Sequence, residues 1–147
     1  MIREATHDDI PRMVELGMIM HAESPVYRRM TFDADKLAQS IARLIGNARG
    51  FVWVAESGGD VVGGMVAVAV DHWFSPDLTA CDLALFVDPE HRGGLAAMRL
   101  LNAYAAWARN AGATLIQFGI MTGVKVDDTQ QLCERLGWKR CGVVMEK

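Results

Sequence analysis

Between Leu78 and Met121 the chain changes character three times, in an order that few folds accept. "LTACDLALFV" is apolar and rich in strand formers, and "DPEHRGG" holds one Pro and two Gly. "LAAMRLLNAYAAWARNA" has the spacing of an amphipathic helix, and "TLIQFGIM" is strand-like again. A strand, a helix and a strand joined by short turns form a crossover, which makes the two strands parallel and lays the helix on one face of their sheet. Within the helix, from about Gly94 to Ala111, residues Ala97, Leu101, Tyr104, Ala108 and Ala111 form an apolar stripe. Arg99, Asn102, Ala106 and Arg109 form the opposite, mostly polar face, and Gly112 ends the helix.

The remaining elements arrange themselves around this unit. "MIREA" reads as a short strand, and "THDDIPRMVELGMIM" as a helix with Thr6 or Asp8 as cap, Pro11 in or just after the first turn, and Ile10, Met13, Val14 and Gly17 on one face. Asp33 caps a second helix, in which Leu37, Ile41, Leu44 and Ile45 repeat at helical spacing before Gly46 stops it. "FVWVAE" and "VVGGMVAVAV", joined by "SGGD", form an antiparallel hairpin. Asp127 or Asp128 caps a short helix through Leu136, Gly137 stops it, and "WKRCGVVME" reads as the last strand. The order is β-α-α-β-β-β-α-β-α-β, an α/β chain (α+β mixed sheet) with helices on the faces of the sheet. With 147 residues and no long polar or Pro-rich linker, residues 1–147 are expected to form a single domain with one core.

Composition removes several classes of function. The net charge is −3, so no basic field advertises nucleic acid or an anionic membrane, and neither is expected as a partner. Cys81, Cys133 and Cys141 have no paired spacing and no His cluster beside them, which argues against a metal site; being odd in number, they suggest no disulfide framework. The start "MIREATHDD" is charged where a signal peptide needs an apolar run. The longest apolar run, "VVGGMVAVAV", is far short of the ~20 residues of a membrane helix. A reducing, cytoplasmic setting is the expectation.

The corner "FVDPEHRGGLAAMRLL" carries the chemistry. A helix start presents unpaired N–H groups and the positive end of the helix dipole, and both attract anions. Gly93 and Gly94 let the backbone approach a phosphate, Ala96 and Ala97 keep the first turn small, and Arg92 offers a charge-assisted contact. An ordinary β-to-α turn with a solvated Arg92 is the plain alternative.

The order of elements, with "LFVDPEHRGGLAAMRLL" after the fourth strand and "LCERLGW" before the last, resembles the GNAT family of acyl-CoA-dependent N-acetyltransferases over nearly the whole chain. The family motif is Q/R-x-x-G-x-G/A; Arg92 takes its first place and Ala97 its last, while Leu95 stands where the family usually has Gly. The resemblance implies a GNAT-like acyl-CoA N-acyltransferase fold and acetyl-CoA as cosubstrate. It places the CoA pyrophosphate on the amides of Gly93, Gly94, Leu95, Ala96, Ala97 and Met98, with Arg92 beside them. Pantetheine would run along Leu85, Phe86 and Val87, where the fourth strand splays from the fifth, and the Val87 N–H would face the thioester carbonyl. The implied reaction is transfer of an acetyl group to a primary amine of a small molecule or protein, by direct attack in a ternary complex.

The catalytic groups are less plainly marked. Asp82 is the candidate base, with Gln117 as a water-holding group; by strand parity Asp82 goes with Ala84 and Phe86, opposite Leu83, Leu85 and Val87, so a solvated strand charge is the alternative. Cys133 occupies the place where many family members have the Tyr that protonates the CoA sulfur, although a buried, inert thiol is the commoner state of a cysteine. The loops "HAESPVYRRM" and "DHWFSPDL" point to Glu23, Tyr27 and Trp73 as residues framing a pocket for a cationic amine. Leu95 and Cys133 also motivate a second reading, an acyl-CoA-binding or protein-interaction module of the same fold with little or no catalysis. Met13, Met18, Met20 and Met30 leave room for an interface, including that of a homodimer, although Met at helical spacing more often fills a core.

Overall fold

The computed structural model describes residues 1–147. Five strands and four helices follow in the order β1 (Ile2–Glu4), α1 (Ile10–Glu23), α2 (Ala34–Leu44), β2 (Gly50–Ser57), β3 (Asp60–Asp71), β4 (Leu78–Val87), α3 (Ala96–Asn110), β5 (Leu115–Gln117) and α4 (Val126–Arg135). The strands form one sheet in the order β1-β2-β3-β4-β5. Neighbours from β1 to β4 are antiparallel, while β4 and β5 are parallel across the α3 crossover. The mixed α/β architecture read from the sequence is the one observed.

Local chemistry accounts for most boundaries. The β2–β3 hairpin turns on Gly58 (φ 61°) and Gly59 (φ 92°), consecutive left-handed positions that favour the Gly pair. Asp33 caps α2 by accepting from the Lys36 N–H at 2.9 Å. A 3₁₀ turn over His7–Asp9 precedes α1, and Asp9 rather than Asp8 closes it, accepting from the Thr6 N–H at 2.7 Å. Two expectations at the C-terminal end are corrected. Neither Asp127 nor Asp128 caps α4; Lys125 precedes it with φ 45°, and the two acids sit in the first turn, where the helix dipole favours them. "WKRCGVVME" forms no strand: residues 139–147 make no backbone hydrogen bond, and Val143, Val144 and Met145 are exposed. A strand needs an edge to pair with, and β5 offers three residues rather than the eight of "TLIQFGIM".

The sheet separates two apolar layers. On one face α3 and α4 bury Phe51, Met65, Ala67, Ala80, Leu100, Leu101, Tyr104, Ala108 and Cys133. On the other, α1 and α2 bury Met13, Leu16, Ile41, Val52, Val54, Val66 and Phe86. Met13 is therefore core, whereas Met18 and Met30 are exposed. The approach of α1 to the sheet is set by small residues. A Cβ on Gly64 would lie 3.0 Å from the Phe86 ring and 3.1 Å from the Met13 methyl. No helix is long and apolar enough to cross a membrane.

Candidate active site

The fourth and fifth strands part company early. They pair only over Thr79–Cys81 and Leu115–Gln117. Immediately beyond, the Tyr104 hydroxyl donates to the Gln117 carbonyl at 2.7 Å, and the Gly119 N–H donates to Asp82 Oδ1 at 2.8 Å. Side chains thus take main-chain groups that a longer ladder would use, and residues 118–124 leave the sheet. On the opposite side of β4, the Asp88 N–H donates to the Val62 carbonyl on β3. Because ladder groups alternate, Leu85 and Val87 turn their main chains away from β3, toward the opening. The cleft so formed has a volume of about 470 Å³. Its walls are the end of α1 with Tyr27, β4 over Asp82–Leu85 and at Val87, the corner before α3, the segment after β5, and one face of α4.

A bulge decides what β4 presents there. Ala67 pairs with Asp82 but Val66 pairs with Ala84, so Leu83 is an extra residue on β4. It reverses the alternation: Asp82 lies on the α3 side of the sheet with Ala80, as does Leu85, whereas Ala84 and Phe86 face the α1 side. The parity reading that grouped Asp82 with Ala84 and Phe86 is corrected accordingly. Asp82 lines the cleft, and burial pushes its carboxyl above the ordinary carboxylate range, partly opposed by the Gly119 N–H. Oδ2 of Asp82 accepts no hydrogen bond from the protein, which leaves it open to a ligand. Tyr27 and Cys81 are also raised, first by burial and then by the nearby negative charge of Asp82.

The corner leaves its amides free. Asp88 accepts from the Glu90 N–H at 3.0 Å and opens a 3₁₀ turn over Pro89–His91; Gly93 follows with φ 82°, a left-handed position. From Gly93 to Met98 no amide donates a hydrogen bond to the protein, and the first turn of α3 contains no acidic side chain. Gly93, Gly94 and Ala97 line the cleft, whereas Leu95, Ala96 and Met98 do not. Phe86, expected beside the cosubstrate, is corrected: its ring is in the α1-side core and its partner across the ladder is Gly64.

Arg92 is committed within the protein. Its Nε donates to the Val87 carbonyl at 3.1 Å, and its two terminal nitrogens donate to the two carboxylate oxygens of Glu23 at 3.1 and 2.5 Å. A second strut joins the same parts: Arg12 donates to Asp88 Oδ2 at 2.6 Å and to the Val61 carbonyl at 3.0 Å. Both ends of α1 are thereby tied to the corner.

Of the other residues singled out from the sequence, Val87, Leu85, Glu23 and Tyr27 line the cleft. Cys133 does not. Asp128, Thr129, Leu132 and Arg135 form the face of α4 that lines it, and Cys133, about 100° around the helix from Leu132, is 7% exposed in the α3-side core, with burial pushing its thiol up. Trp73 is also corrected: it is 88% exposed in the β3–β4 loop, packed edge-on against Phe74 and outside the cleft. Sequence reasoning missed Ser24, which is fully buried, donates to the Thr122 carbonyl and accepts from the Tyr27 N–H at 2.9 Å, joining α1 to the segment after β5. It also missed Lys125, whose left-handed backbone no residue type announced. No group of three or more His, Cys, Asp or Glu is placed to hold a metal ion.

Against known proteins, the family model described as acetyltransferase (GNAT) domain matches residues 48–140. No curated protein matches the sequence significantly. Among solved structures, a transcriptional regulator from Bacillus halodurans C-125 is 21% identical with a TM-score of 0.75, covering 100% of this chain and 99% of that one. An aminoglycoside antibiotic 6'-N-acetyltransferase from Acinetobacter haemolyticus is 14% identical with a TM-score of 0.74, over 100% and 96% of the two chains. A possible acetyltransferase from Clostridium difficile 630 is 17% identical with a TM-score of 0.75, over 100% and 95%. At these identities the likeness is one of fold.

Proposed function

Because the chain belongs to the GNAT acetyltransferase family and is an acyltransferase, we propose that residues 1–147 work as one N-acetyltransferase domain that uses acetyl-CoA and acetylates a primary amine of a small molecule or protein. One observation carries this reading: six consecutive unpartnered amides, Gly93 to Met98, stand beside a strand whose Leu85 and Val87 main chains face an open cleft. The amides and the helix dipole suit a pyrophosphate, and Leu95 keeps its N–H donor although it lacks the freedom of a glycine. The exposed β4 edge suits an extended amide chain such as pantetheine, which adds to a strand by main-chain hydrogen bonds.

When bound, acetyl-CoA supplies the acyl carbon: its bond to the acceptor nitrogen forms, its bond to sulfur breaks, and CoA leaves as the thiol. Val87 contributes its N–H toward the oxygen that gains charge, a donor typically worth ~10² to 10³ in rate. Asp82, with Oδ2 free and its proton affinity raised, receives the proton that the amine loses, directly or through one water. Cys133 plays no part from its place in the core, so solvent in the open cleft protonates the departing sulfur. Glu23 and Tyr27 bound the acceptor side.

Isothermal calorimetry with acetyl-CoA tests the reading, with Gly94→Glu as the control that puts a carboxylate at the anion corner. Micromolar to millimolar binding lost in the control is expected, followed by thiol release with members of an amine panel. No binding at millimolar ligand sinks the proposal. Binding without release across the whole panel favours the acyl-CoA-binding module instead.

A further inference from the structure

Resting on that transferase reading, we propose that the cleft selects acceptors bearing one cationic amine on an apolar body, and that Arg92 sets this preference by neutralising Glu23. The acceptor side brings two carboxylates, Glu23 and Asp82, together with Met20, Leu83 and Met121. Glu23 has both oxygens engaged by the two terminal nitrogens of Arg92, a bidentate end-on pair. Arg92 cannot easily swing away, because its Nε is held by the Val87 carbonyl. Of these two carboxylates, only Asp82 then keeps an oxygen, Oδ2, free to meet a cation; the cleft's third carboxylate, Asp128, belongs to the α4 wall, which also carries Arg135. Around it lie apolar side chains that the protein itself leaves uncovered: Leu83, the bulge residue, is 57% exposed and Met121 is 41% exposed.

A polycation entering this space would shed water from several charges and, with Glu23 already paired, find only Asp82 on the acceptor side, which disfavours it. A monoamine with an apolar body pairs its charge with Asp82 and covers Leu83 and Met121. Specificity of this kind comes as much from withholding a partner as from offering one. Arg92 is thus a positioning residue, sixty-nine positions from Glu23 in the chain, and its guanidinium acts on the acceptor while the neighbouring amides serve the pyrophosphate.

The test compares 2-phenylethylamine, spermidine and sisomicin by kcat/KM at saturating acetyl-CoA. The wild type is expected to favour 2-phenylethylamine over both polycations by about threefold or more, the scale of one unmatched charge. Arg92→Gln frees Glu23 and is expected to narrow that ratio by about threefold, mainly through a lower KM for spermidine. Adding Glu23→Gln to Arg92→Gln removes the freed carboxylate and restores the preference. Should Arg92→Gln fail to fold, Glu23→Gln alone leaves Arg92 cationic and unpaired, and it lowers kcat/KM more for spermidine than for 2-phenylethylamine. A wild type that prefers spermidine or sisomicin, or a ratio unmoved by these changes, overturns the proposal. If no amine releases thiol, the transferase reading has failed by itself. Calorimetry of the three amines with the CoA-loaded protein, or with the free protein if CoA does not bind, then decides selectivity. Tighter binding of a polycation, or no amine binding, overturns the proposal.

Discussion

Asp9 and Asp82 have opposite environments and titrate in opposite directions. Asp9 accepts from Arg3 at 2.8 and 2.9 Å and from the Thr6 N–H, and the Arg3 guanidinium above all holds its carboxyl down to about 2. An acid lowered in the folded state stabilises the fold above its ordinary value of 3.8, and that contribution is lost as pH falls from there toward 2. We expect a loss on the order of 1–2 kcal/mol across this window, allowing for solvent screening. Urea melts at several pH values check this, and Asp9→Asn should flatten the dependence. Asp82 is raised instead, chiefly by burial, so it binds its proton at higher pH than an unfolded aspartate. A carbon-13 NMR titration of its carboxyl should give a midpoint above 3.8, and Asp82→Asn should cut kcat by ~10² to 10⁴ if it is the base. An unchanged kcat would remove Asp82 from the chemistry. The identity of this residue was legible as a candidate; the direction it faces was not, since alternation of period two carries no sign of an extra residue at Leu83.

At the scale of elements, the site depends on where β5 stops and how near α1 lies. Tyr104 is fully buried and its hydroxyl donates to the Gln117 carbonyl. Tyr104→Phe should cost about 1–2 kcal/mol, because the carbonyl loses its partner while the ring still packs. Chemical denaturation gives that difference directly. Gly64→Ala places a methyl group 3.0 Å from the Phe86 ring and 3.1 Å from the Met13 methyl, so both side chains must shift. A loss of about 1–3 kcal/mol is expected, seen as a lower denaturant midpoint with an unchanged slope. Most elements could be placed from hydrophobic spacing and turn residues alone, as with Asp33, Gly58–Gly59 and the strand before Pro89. The failures came at α4 and after it. Lys125 took a left-handed conformation that its side chain does not favour, and "WKRCGVVME" had the composition of a strand without a sufficient edge to join.

In the whole molecule, Arg12–Asp88 and Arg92–Glu23 tie α1 to the corner from both of its ends, so the two sides of the cleft keep one spacing. The C-terminal residues lie outside this framework. Amides of residues 139–147 donate no backbone hydrogen bond and should exchange with solvent at nearly unprotected rates, whereas those paired between β2 and β3 should exchange slowly. Strong protection in the tail would mean that it pairs in solution. By itself the sequence determined the order and type of nearly every element, the parallel crossover, and the amide-rich corner at Gly93–Gly94. Each of these follows from neighbours a few residues apart. Only the tertiary structure decided that Asp82 enters the cleft, that Cys133 and Phe86 turn into the core, and that Arg92 spends its charge on Glu23. Those outcomes depend on a bulge, a splayed strand pair and partners as far as sixty-nine positions away, and local periodicity encodes none of them.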